Sequence, residues 1–352
     1  MTEPELLTSV QGGLGVITLN RPKAVNALSY NMIGLLGEAL TEFEHNDAVH
    51  AVLIRGSGDR GLCAGGDVVS LHKNAVDNDL AGAAPFFREE YTVNHRIYTY
   101  PKPYIAIMNG LVLGGGVGVS VPGSHRVATD STRLGMPEVG IGFSPDVGGP
   151  HYLANTPGNL GNYIALTTAH ISGADAVYTG MADVRVPDEH LNALITRLET
   201  ITGPEQVDAI LAEFNEPSES LLEQEFTWID EIFGATTVEE ILAGVEAVAA
   251  QENEVAQQAH KALLRHSPLG LKVTLEAIRR ASKLTLAETL AQDLRTTMHA
   301  VAGTELAEGI RAQLIDKDRD PQWNPAHLEE VTDEVVQAFF DPVDGIDDLN
   351  IR

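Results

Sequence analysis

Through the first half of the chain, short apolar runs alternate with stretches in which apolar residues recur at helical spacing. Gly15-Val16-Ile17-Thr18-Leu19-Asn20 predicts a strand, and Met32, Leu35, Leu36, Ala39, Leu40 and Phe43 predict one buried helix face. Ala51–Ile54 and Tyr104–Met108 predict short buried strands, Pro85–Tyr98 a helix, and Arg126–Thr129 a further strand. Such alternation predicts an α/β domain with strands backed by helices. Beyond Pro187 the strand signals nearly vanish. Thr237 with Glu240 and Thr285 with Glu288 have the spacing of capping boxes. Ser267-Pro268 and Asn324-Pro325 both predict an N-cap followed by proline at the first helical position. Gly149-Pro150 and Gly203-Pro204 predict turns, and Asp341–Asp348 predicts a frayed end.

Composition narrows the classes of function. The chain has 352 residues, enough for one large domain or a domain with a sizeable extension. No apolar run reaches membrane-spanning length, so no membrane partner is expected. The acidic opening MTEPELLTSV resembles neither a signal nor a transit peptide, which predicts a cytoplasmic location. With 23 Lys and Arg against 50 Asp and Glu, the net charge is -27, and such a surface repels phosphate backbones; no nucleic-acid partner is expected. The single cysteine, Cys63, allows no internal disulfide and no multi-cysteine metal site. Flanked by Leu62 and Ala64, it reads as a small buried filler. The histidines are scattered without ligand spacing, so no metal is expected.

Candidate chemistry gathers in glycine-rich segments. Gly135–Gly149 reads GMPEVGIGFSPDVGG and carries two acids, Glu138 and Asp146, with no basic residue between them. Paired carboxylates suit acid–base or nucleophilic work. The competing readings are a buried ion pair for Glu138, with Arg126 available, and an N-cap role for Asp146 near His151. Upstream, Ala64-Gly65-Gly66 and Gly114-Gly115-Gly116 each follow a strand-like run. Glycine lets a backbone N–H approach a ligand oxygen closely, and two such groups on one carbonyl oxygen form an oxyanion hole. The second cluster has no Gly-Lys-Ser/Thr and lacks the dinucleotide fingerprint, so no nucleotide cofactor is implied. Its plain reading is close helix packing. Asp67 reads as the cap of the following helix. Phe86–Tyr91 sets two acids beside aromatics, as on a solvated helix face, and Asn20–Leu28 is a basic turn able to meet a phosphorylated ligand. A Ser144–His151–Asp146 triad has no G-x-S-x-G elbow to support it.

In their order and spacing, these segments resemble the crotonase (enoyl-CoA hydratase/isomerase) superfamily. The resemblance rests on Asn20-Arg21-Pro22 with Asn26-Ala27-Leu28, on Ala64-Gly65-Gly66-Asp67, on Asn109-Gly110 with Gly114-Gly115-Gly116, and on Met136-Pro137-Glu138. A narrower likeness to the 3-hydroxyisobutyryl-CoA hydrolases rests on Phe87–Tyr91, Gly114–Gly118, Pro145–Gly149, Glu308–Ala312 and Leu314–Asp318 with Pro321 and Trp323. It implies an α/β fold, a crotonase-like spiral of ββα units, with a catalytic core over 1–200 and a helical region over 201–352 packing on it. It implies an acyl-CoA substrate, with coenzyme A as part of that substrate rather than a separate cofactor, and allows a homo-oligomer, trimer or hexamer.

By position, the resemblance makes Gly66 and Gly115 the oxyanion donors, Glu138 and Asp146 the catalytic pair, and Glu90 a substrate contact. Asn26, Ala27, Leu28, Ala64 and Lys23 complete the implied substrate-binding set. Hydratases of the superfamily place a second glutamate at the position of Gly118, and here no acid lies between Gly114 and Ser120. Asp146 stands instead where hydratases usually have glycine. Ser144 and Pro122 depart from the hydrolase pattern, where an aromatic and a histidine are common, and leave the acyl group open. Hydrolysis of 3-hydroxyisobutyryl-CoA is the expected reaction. A hydratase, dehydratase or isomerase, and a non-catalytic acyl-CoA- or RNA-binding protein, are the alternatives.

Overall fold

The computed structural model describes residues 4–351, so Met1, Thr2 and Glu3 of the acidic opening lie outside the described residues. Strands run at β1 (Leu6–Gln11), β2 (Leu14–Leu19), β3 (Ala51–Gly56), β4 (Gly61–Cys63), β5 (Tyr104–Met108), β6 (Leu111–Leu113), β7 (His125–Ala128), β8 (Arg133–Gly135) and β9 (Val184–Arg185). A six-stranded sheet has the order β1-β2-β3-β5-β7-β9, and a three-stranded sheet the order β4-β6-β8. Only β1 and β2 pair antiparallel in the larger sheet (Leu6↔Leu19); β2–β3, β3–β5, β5–β7 and β7–β9 are parallel. Parallel strands are covered on both faces, which explains why β3 and β5 read as nearly unbroken apolar runs rather than alternating ones.

The chain forms two compact units that are not contiguous in sequence and do not divide at residue 200. The first comprises residues 4–66, 89–134 and 171–223, the second residues 67–88, 135–170 and 224–351. The physical reason lies in what each segment buries. Leu194 and Leu198, with Val207, Ile210 and Leu211 beyond residue 200, join Leu14, Val16, Leu53, Ile105 and Val127 in one sheet-backed core. In the second unit, Gly309 lies so close to Ile141 that a Cβ on it would stand 2.2 Å from the Ile141 carbonyl, and Gly142 approaches Glu305 in the same way. The segment carrying Glu138 and Asp146 therefore packs with helices from the end of the chain.

Local sequence signals set several helix starts. Both expected capping boxes form, at Thr237/Glu240 and Thr285/Glu288, and Ser267 caps the helix Pro268–Ala281. The helix expected from Pro85 starts at Leu80 and carries Pro85 inside it. Gly149-Pro150 and Gly203-Pro204 open helical turns, Gly149–Ala154 and Pro204–Gln206, because proline's fixed φ suits a first helical turn. Asn324-Pro325 does not start a helix. Its peptide bond is cis, and the next helical turn is Leu328–Glu330, where Glu330 accepts from the Ala326 and His327 amides. Nor is Asp341–Asp348 frayed: the Arg295 guanidinium grips Asp348 with bonds of 2.8 and 2.6 Å, and Arg88 donates to the Asp348 carbonyl.

Asp175 fixes one edge of the first unit. Buried, it accepts from the Ser172 amide and hydroxyl through Oδ2, and from the Ser220 hydroxyl and Leu222 amide through Oδ1. Asp175→Ala strands four donors. It should lower the unfolding free energy by about 2 kcal/mol or more, and an unchanged urea midpoint would contradict that role.

Candidate active site

In the first unit, β4 and β6 run parallel side by side, with Gly61 opposite Leu111 and Cys63 opposite Val112. Each strand therefore delivers its glycine turn to the same end of the pair. β4 passes into Ala64-Gly65-Gly66, and β6 passes through Gly114 into the short helix Gly115–Gly118. Gly65 has φ +111 and Gly114 φ +50, backbone that a side chain would strain. A Cβ on Gly116 would stand 2.4 Å from the Cys63 carbonyl oxygen, and one on Gly115 would stand 3.4 Å from the Gly65 carbonyl carbon. The two turns thus touch backbone to backbone. Neither the Gly66 nor the Gly115 amide has a backbone acceptor among the described residues.

The Asn20–Leu28 turn is stitched onto this end. The Leu28 amide donates to Gly65 O at 2.8 Å and the Ala64 amide to Val25 O at 3.0 Å. Asn26 is buried with φ +55; its side chain accepts from the Arg21 amide and donates to Ser57 O and Gly61 O. Arg21 donates to Ala27 O and pairs with Glu5. Glu90, on the helix Leu80–Tyr98, is buried rather than on a solvated face, and its Oε1 lies 3.0 Å from where a Cβ on Gly115 would be. Of the first-unit residues expected from sequence, Gly115, Glu90, Leu28, Ala64 and Asn26 belong to this one cluster, with Gly66 and Ala27 beside them in the chain. Lys23 is exposed, and its backbone carbonyl accepts from Arg60. Cys63 is buried, and burial pushes its thiol up to about 12, which leaves it unsuited to be a nucleophile.

The second unit carries the acids. Glu138 opens the helical turn Glu138–Ile141, and both it and Asp146 are 6% exposed. Arg126 does not serve Glu138: it is bound to Asp183 and the Gly180 carbonyl. Glu138 Oε2 has no hydrogen-bond partner among the described residues. Burial, then the neighbouring Asp146 carboxylate, push Glu138 well above its ordinary value of 4.5. Asp146 is not a helix cap either, since Gly148 holds that position for Gly149–Ala154. Asp67 does stand at the N-cap of Val68–Asp77, but without a side-chain capping bond. His151 Nδ1 has no partner among the described residues, so no Ser–His–Asp relay runs through that nitrogen.

One acid escaped sequence reasoning. Asp293 lies on the buried face of the helix Leu286–Ala302, accepts the Gly148 amide through Oδ2 at 2.8 Å, and is pushed well above 3.8 by burial and then by Asp146. The available signal was its place on the stripe Leu286, Leu290, Asp293, Thr297, Val301, where an apolar residue belongs. Among the described residues, no group of three or more His, Cys, Asp or Glu is arranged to hold a metal ion. None of the helices described is long and apolar enough to cross a membrane.

Residues 14–340 match a family model described as enoyl-CoA hydratase/isomerase. The probable 3-hydroxyisobutyryl-CoA hydrolase 3 of Arabidopsis thaliana is 37% identical, across 97% of this chain and 93% of its own. The mitochondrial 3-hydroxyisobutyryl-CoA hydrolase of Rattus norvegicus is 38% identical, across 96% of this chain and 88% of its own. Among solved structures, a carnitinyl-CoA dehydratase from Mycobacterium thermoresistibile superposes with a TM-score of 0.92 at 46% identity, covering 99% of each chain.

The raised carboxyls predict a direction with pH. Folded Glu138 keeps its proton over a range where the unfolded chain has lost it, so the folded state binds more protons there and stability falls as pH rises above about 4.5. Glutamine removes that loss. As pH rises above about 4.5 the melting temperature of Glu138→Gln should rise relative to that of the unaltered protein, and a pH-independent difference would contradict the raised proton affinity.

Proposed function

We propose that this chain, which belongs to the enoyl-CoA hydratase/isomerase family, hydrolyses the thioester of a short branched hydroxyacyl-CoA, 3-hydroxyisobutyryl-CoA above all. Its fold is the crotonase-like α/β fold that the sequence motifs imply. The observation that carries the reading is the buried Glu138–Asp146 pair in a chain with no acid between Gly114 and Ser120. Addition of water to a double bond draws on two acids, one of them at the place of Gly118. Here that place is a buried glycine, and the second acid is Asp146.

In this reading the amides of Gly66 and Gly115 hold the thioester oxygen as negative charge develops on it. Donors fixed in place before reaction need no reorganisation, and one such donor is commonly worth about a hundredfold or more in rate. Glu138 attacks the carbonyl carbon or takes the proton of the attacking water; its upward shift brings it nearer neutrality, where a base works best. Asp146 orients the water or passes a proton to the departing thiolate. The C–S bond breaks and coenzyme A leaves as the free thiol; where Glu138 has attacked, water then cleaves the acyl–Glu138 anhydride, and on either route the acyl group leaves as a carboxylate. Glu90 receives the substrate hydroxyl, Leu28, Ala27 and Ala64 border the acyl carbonyl, Asn26 shapes their turn, and Lys23 meets a phosphate of the nucleotide. The proposal includes a cytoplasmic location and a trimer or hexamer.

A second reading is favoured by the 46% identity to a structure titled carnitinyl-CoA dehydratase. Elimination or addition of water leaves the C–S bond intact, so free thiol separates the two. With 3-hydroxyisobutyryl-CoA the hydrolase releases thiol, and with crotonyl-CoA it shows little hydration; the reverse pattern overturns the proposal. The acid pair argues against a non-catalytic acyl-CoA binder, and the charge of -27 against an RNA binder.

Glu138→Gln should lower kcat for thiol release by at least about a hundredfold, the lower end for a lost general base. Full retained turnover in that variant would refute the assignment.

A further inference from the structure

Nothing in the reaction above accounts for Asp293. It is 1% exposed, and Oδ1 has no hydrogen-bond partner among the described residues. Nor does any ion pair among them reach it. A carboxyl group in such a place is destabilising, and a leucine of similar size would fill the stripe at lower cost. What it gains is one bond, from the Gly148 amide.

That bond secures an unusual turn. Val147 has φ +53 and Gly148 φ +77, two successive residues in left-handed backbone. For a β-branched residue such as Val147 this conformation costs about 1–3 kcal/mol and persists only when the surroundings impose it. The turn closes with the Gly149 amide donating to Asp146 O at 2.7 Å, and Gly148 caps the helix Gly149–Ala154. Asp293 therefore reaches from a helix distant in sequence to the turn that begins at Asp146.

We propose that Asp293 is a positioning residue that acts through Asp146: by accepting the Gly148 amide it holds the Asp146–Gly149 turn in the geometry from which Asp146 serves the reaction. The inference rests on the hydrolytic role given to Asp146 above. Asparagine keeps an acceptor for the amide, and leucine removes it while filling the space.

The test follows thiol release from 3-hydroxyisobutyryl-CoA in the full chain. Asp293→Leu should lower kcat by about tenfold or more with KM moved less than about threefold, and Asp293→Asn should restore most of the rate. Asp146→Asn combined with Asp293→Leu should be no slower than Asp146→Asn alone, since a residue acting through Asp146 has nothing further to lose. Should the leucine variant fail to fold, Asp293→Ala is measured the same way, with faster hydrogen exchange expected across residues 143–153. An unimpaired leucine or alanine variant beside an impaired Asp146→Asn overturns this inference alone. So does an asparagine variant as slow as the leucine one, or a double variant slower than Asp146→Asn. Unimpaired Asp146→Asn overturns instead the underlying role of Asp146.

Discussion

Two carboxyl groups buried beside each other resist ionising together. That constraint governs the second unit. Glu138 and Asp146 are each almost out of contact with water, and the charge on one opposes the charge on the other. The usual remedies for buried charge are a paired cation or a full set of hydrogen bonds. Glu138 has no ion-pair partner among the described residues, and its Oε2 accepts no bond among them. The protein therefore keeps proton-holding capacity where a surface carboxylate would have none. Such an arrangement weakens the fold, and that cost is what supports the catalytic roles proposed for the pair.

The first unit meets a different constraint with a different device. Amide N–H groups can face a ligand oxygen only where the backbone itself comes to the ligand. Glycine permits this at Gly65 and Gly114 through positive φ, and at Gly116 through contact with the Cys63 carbonyl that no side chain would allow. The parallel pairing of β4 and β6 brings both turns to one end, and Asn26, buried and bonded on both faces of its amide, fixes the turn that borders them. Backbone geometry in this unit is thus a consequence of strand register and close backbone contact, not of flexible side chains.

Much of this was legible in the sequence because its causes are local. A threonine three residues before a glutamate makes a capping box with no help from elsewhere, as at Thr237 and Thr285. Short apolar runs such as Ala51–Ile54 identify buried strands by themselves. What depended on distant packing was not legible. Asn324-Pro325 has the same local signal as Ser267-Pro268, yet only Ser267 starts a helix. The end of the chain is held by Arg295 and Arg88, far away in sequence. The boundary at residue 200 followed the change in secondary structure, whereas Val207, Ile210 and Leu211 bury themselves against the sheet. Glu138 and Asp146 stood out because acids are rare in a glycine- and proline-rich apolar segment. Asp293 was hidden in a helix rich in polar residues, and its partner is the backbone of Gly148.

The central claim is that burial and Asp146 together raise the proton affinity of Glu138. Carbon-13 NMR of the Glu138 carboxyl across a pH series reads this directly. The account predicts a midpoint well above the ordinary 4.5, displaced downward by Asp146→Asn. A Glu138 that titrates in the ordinary range, or one whose midpoint ignores that substitution, would contradict it.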